Sequence, residues 1–481
     1  MNDVDLYRPT NEFNTTLGES YYNGLNQVVT EDIKSAIDEI VFIQRLISPS
    51  MPSVGDLDKD ELGHIIVDVT NPHKLENMEF FTKAADHFRK YGCYTLLAPN
   101  KHPKSPYYTF WREEKSRIRN GLIREDGEWI SGELYWYWNY APILKTRRIN
   151  ANMKRAERIV DFPDVWLGDY LFFHYKDQAR NLGQHVELMK VRGVGASFKM
   201  GALGPRNALF YKKSKTFYVA SDMQYLTKDG IITKAWDYLD FLAEHTPFPR
   251  LRVIDRQLEK RIGYKDPRTG AEKGMKSDVI GLSTKDDPDK IRGKRGDINF
   301  EEYGAYPHIK KAWAISRASV EDGENVFGQI SGLGTGGSIG ADFEGAEDMF
   351  YHPGSYNILG VPNVYDRNST GQSECGLFWG AYLNRSNCYD KNGMPDVTKA
   401  LRELFVELGR IRKTSSDPKA ITQRRAEYPI TPTDSMMKID GTIFPVADLR
   451  DHLESIKINQ DEFTGAHYVG DLVINKDAIV S

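Results

Sequence analysis

Cysteine is scarce in this chain: three in 481 residues, Cys93, Cys375 and Cys388, none paired by motif. That suggests neither a disulfide framework nor a zinc site and makes a reducing cytosol the simplest setting. No apolar run approaches the roughly 18 residues that a membrane-crossing helix needs. The first residues, MNDVDLYRPTNEF, are polar and carry no signal-peptide pattern. Neither sign of charge is in large excess, the formal net being −4. A surface coated in positive charge is excluded, but a local nucleic-acid track stays open, because a patch can be basic while the whole is not. Internal repeats and low-complexity tracts are missing too. The most telling absence is one lysine. The stretch KVRGVGASFKMG (190–201) reads like a loop that cradles phosphate, yet Ala196 follows Gly195 where the standard G-x-x-x-x-G-K-[ST] loop has its cation.

What is present is ordinary for a globular protein, with 40% hydrophobic and 27% charged residues. The length suggests roughly two to four domains. Residues 1–150 read as an N-terminal region with a lid-like segment, residues 151–430 as the core, and residues 431–481 as a linker. Residues 83–90 look helical, and Gly55–Gly63 and Pro99–Pro106 look like loops. ELYWYWNYAPI (133–143) reads as a buried strand or packing layer, with Pro142 against a helix interior. DYLFFHYKDQARNLG (169–183) fits an amphipathic helix ending at Gly183. Short apolar runs follow at 186–191, 215–222, 277–283, 296–303, 325–331 and 356–361. Strands alternating with helices predict an α/β fold with a mainly parallel central sheet flanked by helices. Ligands of such sheets sit beyond the carboxyl ends of the strands.

Three motifs fall at those ends. The first is the loop itself. Gly193 and Gly195 permit close backbone approach, and Ser197 at the helix start is placed to ligate Mg²⁺. Lys190 and Arg192 precede the glycines and Lys199 follows them, so cations are near. Alone, this is equally a glycine turn between strand and helix. The second motif is GDINFEEYGAY (296–306), which ends an apolar segment in Glu301 and Glu302. One acid can hold the metal shell while the other activates water. Alone, such a pair is usually solvated. Before it, Arg292 and Arg295 flank Gly293 in a charged loop. The third is NVFGQISGLGTGGSIG (325–340). It formally matches G-x-G-x-x-G, but it falls too late in the chain for a dinucleotide fingerprint. Read as a flexing turn, it offers Ser331 and Thr335 as hydroxyl donors.

The order and spacing of the three resemble the ATPase part of the large terminase subunit of tailed bacteriophages, over roughly residues 105–450. The segments ELYWYWNYAPIL, FPDVWLGDYLFFHYKDQARNLGQHVELMKVRGVGAS, GTGGSIGADFEGAEDMFYHP and RRAEYPITPTDSMMKIDGTIFP add to the likeness. The resemblance implies a P-loop NTPase fold with an N-terminal extension, and an ATP-hydrolysing motor that moves double-stranded DNA into a procapsid. It implies ATP and Mg²⁺ as cofactors. Lys190, Arg192, Gly193, Val194, Gly195, Ala196 and Ser197 would bind nucleotide, with Lys190 or Arg192 replacing the missing lysine. Ser197 and Glu301 would hold the metal, and Glu302 would activate water. Ser331, Gly332, Gly334, Thr335, Gly336 and Gly337 would form the coupling motif. Arg192, Arg292 and Arg295 are the arginines available for catalysis, an arginine finger from a neighbouring subunit being open as well.

Partners implied by the resemblance are non-specific double-stranded DNA, the portal protein and the small terminase subunit. A homo-oligomeric ring in the host cytoplasm is expected, with the isolated chain monomeric and no membrane involved. Basic clusters at Lys145–Arg158, Arg250–Lys276 and Arg410–Arg425 are the candidate DNA contacts. Two departures stand out. Glu301 replaces the commoner Asp, and only HYVGDLVINKDAIVS (467–481) remains where a nuclease domain would follow, so no nuclease activity is expected. The rival from another class is a non-hydrolysing nucleotide-binding protein that docks DNA or portal. A helicase is the enzyme rival, disfavoured by the lack of a second motor domain.

Overall fold

Eight strands of one sheet carry the core. They are β1 (Val186–Lys190), β2 (Lys215–Ala220), β3 (Arg252–Asp255), β4 (Glu259–Lys265), β5 (Glu272–Ser283), β6 (Asp297–Glu301), β7 (Ile330–Gly334) and β8 (Leu377–Trp379). Their order across the sheet is β8-β1-β7-β6-β2-β5-β4-β3. The six strands from β8 to β5 are parallel, and β4 and β3 extend the sheet antiparallel. The computed structural model describes residues 75–436, apart from 149–155, 286, 307, 336–343, 364, 367–372 and 418–419. The expected mainly parallel α/β architecture is what the chain adopts. The loop expected at Gly55–Gly63 and most of the linker at 431–481 lie outside the described residues.

The parallel strands are buried because helices cover both faces, as parallel sheets require. All five residues of β1 and β7 are buried. Strand alternation assigns the faces. Phe300 of β6 packs on Trp313 of the helix Ile309–Val320, with ring centroids 6.0 Å apart. Tyr218 of β2 points the other way. Its hydroxyl donates to Met200 O at 2.7 Å and accepts from Gly204 N at 2.9 Å. Both partners lie in the helix Ala196–Phe210 that follows the loop.

The aromatic segment is a correction. Gly132–Tyr140 is an α-helix, α1, not a strand. All nine residues are buried, so no polar stripe exists to betray a period of 3.6. Ser131 caps its start by accepting from Leu134 N at 3.2 Å, and it stops before Pro142. Trp136 Nε1 donates to Ala202 O at 2.8 Å, tying α1 to the loop-bearing helix. The helix Leu167–Asn181, α2, matches the helix read from sequence over 169–183, with Gly183 at φ 66° just beyond it, but it is buried on most sides rather than along one stripe. The loop-bearing helix Ala196–Phe210 is α3, and Ile231–His245 is α4.

Two strand readings shift. In 325–331, Asn325–Val326 pairs in a small hairpin with Glu321–Asp322, and the sheet strand begins only at Ile330. Ser331, Gly332 and Gly334 therefore sit inside buried β7 rather than in a turn. Their smallness serves packing. A Cβ on Gly334 would stand 2.7 Å from the Tyr303 ring, and one on Gly332 would stand 3.2 Å from both Tyr303 and Trp313. The run 356–361 is not a sheet strand either. It contributes a 3₁₀ turn at Pro353–Tyr356, a bridge from Ile358 to His185, and Val361–Pro362 paired with Glu374–Cys375.

Candidate nucleotide site

The carboxyl ends of β1, β7 and β6 meet at one edge of the sheet, in register. Glu301 lies opposite Leu333, and Leu333 opposite Leu188. Alternation then puts Glu301, Thr335 and Lys190 on the α3 face. The chain leaves β1 through Val191–Gly195 and enters α3 at Ala196. Gly193 has φ 89° and Gly195, the N-cap, φ 73°. A Cβ at Gly193 would meet nothing within 4 Å, so conformation alone calls for glycine there. These bends leave the first-turn N–H groups of α3 facing outward, the usual polar ending that attracts an anion.

Ser197, in that first turn, donates its hydroxyl to the Glu301 carboxylate. Glu301 is buried, and burial pushes its carboxyl up to about 7, with Glu302 adding repulsion and Ser197, Lys190 and Lys234 opposing. Glu302 has left the strand in the left-handed region, at φ 50°. Its carboxylate accepts from Thr335 Oγ1 at 2.9 Å and lies 4.0 Å from Lys190 Nζ. Loop, hydroxyl, acid pair and Thr335 are thus brought together. Among the described residues, no group of three His, Cys, Asp or Glu side chains could hold a metal alone. A Ser hydroxyl and one carboxylate nevertheless fit Mg²⁺, which takes one or two protein carboxylates and completes its shell with phosphate oxygens and water.

The candidate cations separate. Lys190 is buried beside the acids, whereas the Arg192 side chain is 57% exposed and turned to Glu427 at 3.6 Å. Lys199 is fully buried. It pairs with Asp169 at 2.8 Å, donates to Val194 O, and lies over the rings of Trp379, Tyr137 and Trp166 at 4.9–5.6 Å. Burial holds its pKa below the usual lysine range, with Asp169 opposing. Lys199 therefore braces the loop from beneath rather than facing its mouth. Gly168 lets Trp379 close over this pair, since a Cβ there would stand 2.2 Å from the indole. Asp169 was not singled out from sequence, nor was Lys234 of α4, whose charge acts on Glu301. No motif marks either residue.

Arg292 and Arg295 lie at the other end of β6. Arg292 is exposed and paired with Asp289 at 2.6 Å, and Arg295 lies over Phe327 at 5.7 Å. The five residues of β6 separate that end from Glu301 by about 13 Å. Within one chain the structure does not bring these arginines to the acid pair. Gly336 and Gly337 lie outside the described residues.

On the far side of the loop from the acids opens a cleft of 630 Å³. The loop Val191–Gly195 forms one wall, and Leu144, Thr146, Arg385 and Tyr428 stand among the others. Its charges are already matched: Arg385 with Glu403 and Glu407, both at 3.0 Å, Arg424 with Glu407, and Lys145 with Asp164 at 2.9 Å.

No family model matches the chain, and no curated protein matches it. Among solved structures it is similar to the large terminase ATPase domain of Thermus phage P74-26. A mutant form of that domain gives 16% identity, 52% coverage of this chain, 89% of that one and a TM-score of 0.33, and another structure of the domain gives 15%, 52%, 88% and 0.32. The large terminase of a second, thermophilic bacteriophage gives 11%, 38%, 40% and 0.27. These are distant likenesses, and the functional reading rests on the site itself.

Proposed function

We propose that the chain is the ATP-hydrolysing part of a DNA-packaging motor, a terminase large subunit that drives double-stranded DNA into a procapsid. The observation that carries the hydrolytic half is the contact of Ser197 with Glu301, with Glu302 and Lys190 alongside. A glycine loop, a first-turn hydroxyl and paired acids meet at the carboxyl edge of a parallel sheet. The ordered series of sequence motifs supports the packaging half.

In this reading α3 and its loop hold the β- and γ-phosphates on backbone N–H groups. Lys190 supplies the charge that Ala196 cannot. Ser197 and Glu301 hold Mg²⁺, which when bound neutralises the phosphate oxygens. Glu302 orients the attacking water and accepts its proton, while Thr335 and Lys190 fix the carboxylate. The matched charges of the 630 Å³ cleft leave no free cation for further phosphate, which suits a neutral base and ribose. Lys199 and Asp169 keep Val194 drawn inward so that the loop holds its shape.

The test is steady-state ATPase of wild type, Glu302→Gln and Arg192→Ala, with and without duplex DNA. Loss of the catalytic carboxylate should cost at least about a hundredfold, and Arg192→Ala far less, given its outward position. Wild-type activity indistinguishable from Glu302→Gln would instead favour the non-hydrolysing docking protein, whose one supporting observation is Ala196 in the lysine's place.

A further inference from the structure

A second concavity, of 730 Å³, lies at the opposite edge of the sheet, where β2 and β6 begin and α3 ends. Its floor is charged but matched. Arg180 pairs with Asp297 at 3.2 Å and Glu133 at 3.4 Å, and Arg206 lies 3.6 Å from Glu133. Its rim is different. Arg119, Lys213, Lys215 and Arg295 all line it, are exposed, and make no ion pair with any described residue. Two of them are oriented by rings: Arg119 lies 5.2 Å over Tyr211, and Arg295 lies over Phe327.

We propose that this rim holds the phosphate backbone of duplex nucleic acid. A single small anion would need only one or two of these cations. The row instead continues outward. Lys213 N donates to Met275 O at 2.9 Å, placing the rim beside exposed Lys276 and the β4–β5 hairpin with exposed Lys265 and Arg268. Cations outnumber acids along this surface, where Asp322 is the exposed acid of the lining and Asp266 is held by Lys273, and such a row matches a regularly charged rod gripped without sequence preference.

Position adds a second argument. The helix that starts at the phosphate loop ends at this rim: α3 runs from Ala196 to Phe210, and fifteen residues span about 22 Å. Strand β6 likewise has Asp297 in the floor and Glu301 at the loop. Two rigid elements therefore join the nucleotide edge to the rim. This inference extends the motor reading by giving its DNA a place, but duplex binding is measured without ATP, so the two can fail separately.

The experiment is fluorescence anisotropy of a labelled mixed-sequence DNA duplex with the full chain across a salt series. The variants are Lys213→Ala combined with Lys215→Ala, and separately Arg119→Ala from another element. Basal ATPase and melting temperature serve as controls. The double variant should weaken binding roughly tenfold and flatten the log–log salt slope by about two, and Arg119→Ala should flatten it by about one, with both controls unchanged. Wild-type affinity and slope in both variants would overturn the proposal. So would polyglutamate competing as well as unlabelled DNA, which would make the rim a dock for acidic protein. An inactive ATPase with rim-dependent binding would sink the motor and leave the rim standing.

Discussion

The two ends of β6 carry acids with opposite fates. At the amino end, burial pushes the Asp297 carboxyl up, but Arg180 and then Lys176 more than offset it and hold it below the usual range. At the carboxyl end, burial pushes Glu301 up to about 7, and repulsion from another acid, Glu302, adds to it more than Lys190 or Lys234 takes away singly. One acid is built into a network. The other is left short of positive charge, as suits a group awaiting a cation. Similar chemistry four residues apart in one strand is thus structural at one edge and poised at the other, and neighbouring charge decides which.

The largest effect that tests this contrast is Asp297→Ala. It strips partners from Arg180, from Gln329 N at 3.0 Å and from Asn207 Nδ2 at 3.1 Å. Because the Arg180 side chain is partly exposed, orphaning these partners should cost about 1–3 kcal/mol in urea unfolding. A loss under about 1 kcal/mol would mean that the amino-end network is not structural. A third acid sharpens the comparison. Glu187 of β1 accepts from the Tyr303 hydroxyl, and burial raises its pKa to about 8. A folded value above the unfolded one makes the contribution to stability full below about pH 4.5 and lost as pH rises through about 8. Glu187→Gln should therefore melt near wild type at pH 5 and clearly above it at pH 8.5, and a gap independent of pH would contradict this. The smallest effect is expected from Arg292→Ala. With Arg292 at the wrong end of β6 and bound to Asp289, ATPase of the isolated chain should change less than about twofold, a weak surface pair being lost. A drop of tenfold or more would mean that this arginine reaches the acids after all.

Much of the sheet was legible because β1, β2 and β6 are short apolar runs bounded by polar loops, and α2 because polar residues interrupt its apolar ones up to the Gly183 stop. Helix α1 was not, since a helix buried all round has no stripe. Strand β7 was misplaced because its glycines signal a turn in isolation, while here they admit Tyr303 and Trp313. In the site, the loop glycines, Ser197 and the acid pair were legible from local chemistry and motif order. The roles of the cations were not. Lys190, Arg192 and Lys199 look alike in sequence, and only the direction of each side chain separates them. The basic clusters named from sequence are partly spent on ion pairs. Lys145 pairs with Asp161 and Asp164, Arg252 and Lys260 with Asp255, and Arg424 with Glu407. The unpaired rim draws Arg119, Lys213, Lys215 and Arg295 from separate segments, which no window along the chain collects, while Lys265, Arg268 and Lys276 beside it belong to the second cluster.

The central claim is that Ser197 and Glu301 form the metal-holding side of a triphosphate site. Calorimetric titration of ATP into the full chain, with Mg²⁺ and with a chelator, tests it most directly against Ser197→Ala and Glu301→Gln. Wild type should bind more tightly with Mg²⁺, and both variants should lose that increment while keeping the binding that remains in chelator. An increment of equal size in all three proteins would contradict the account.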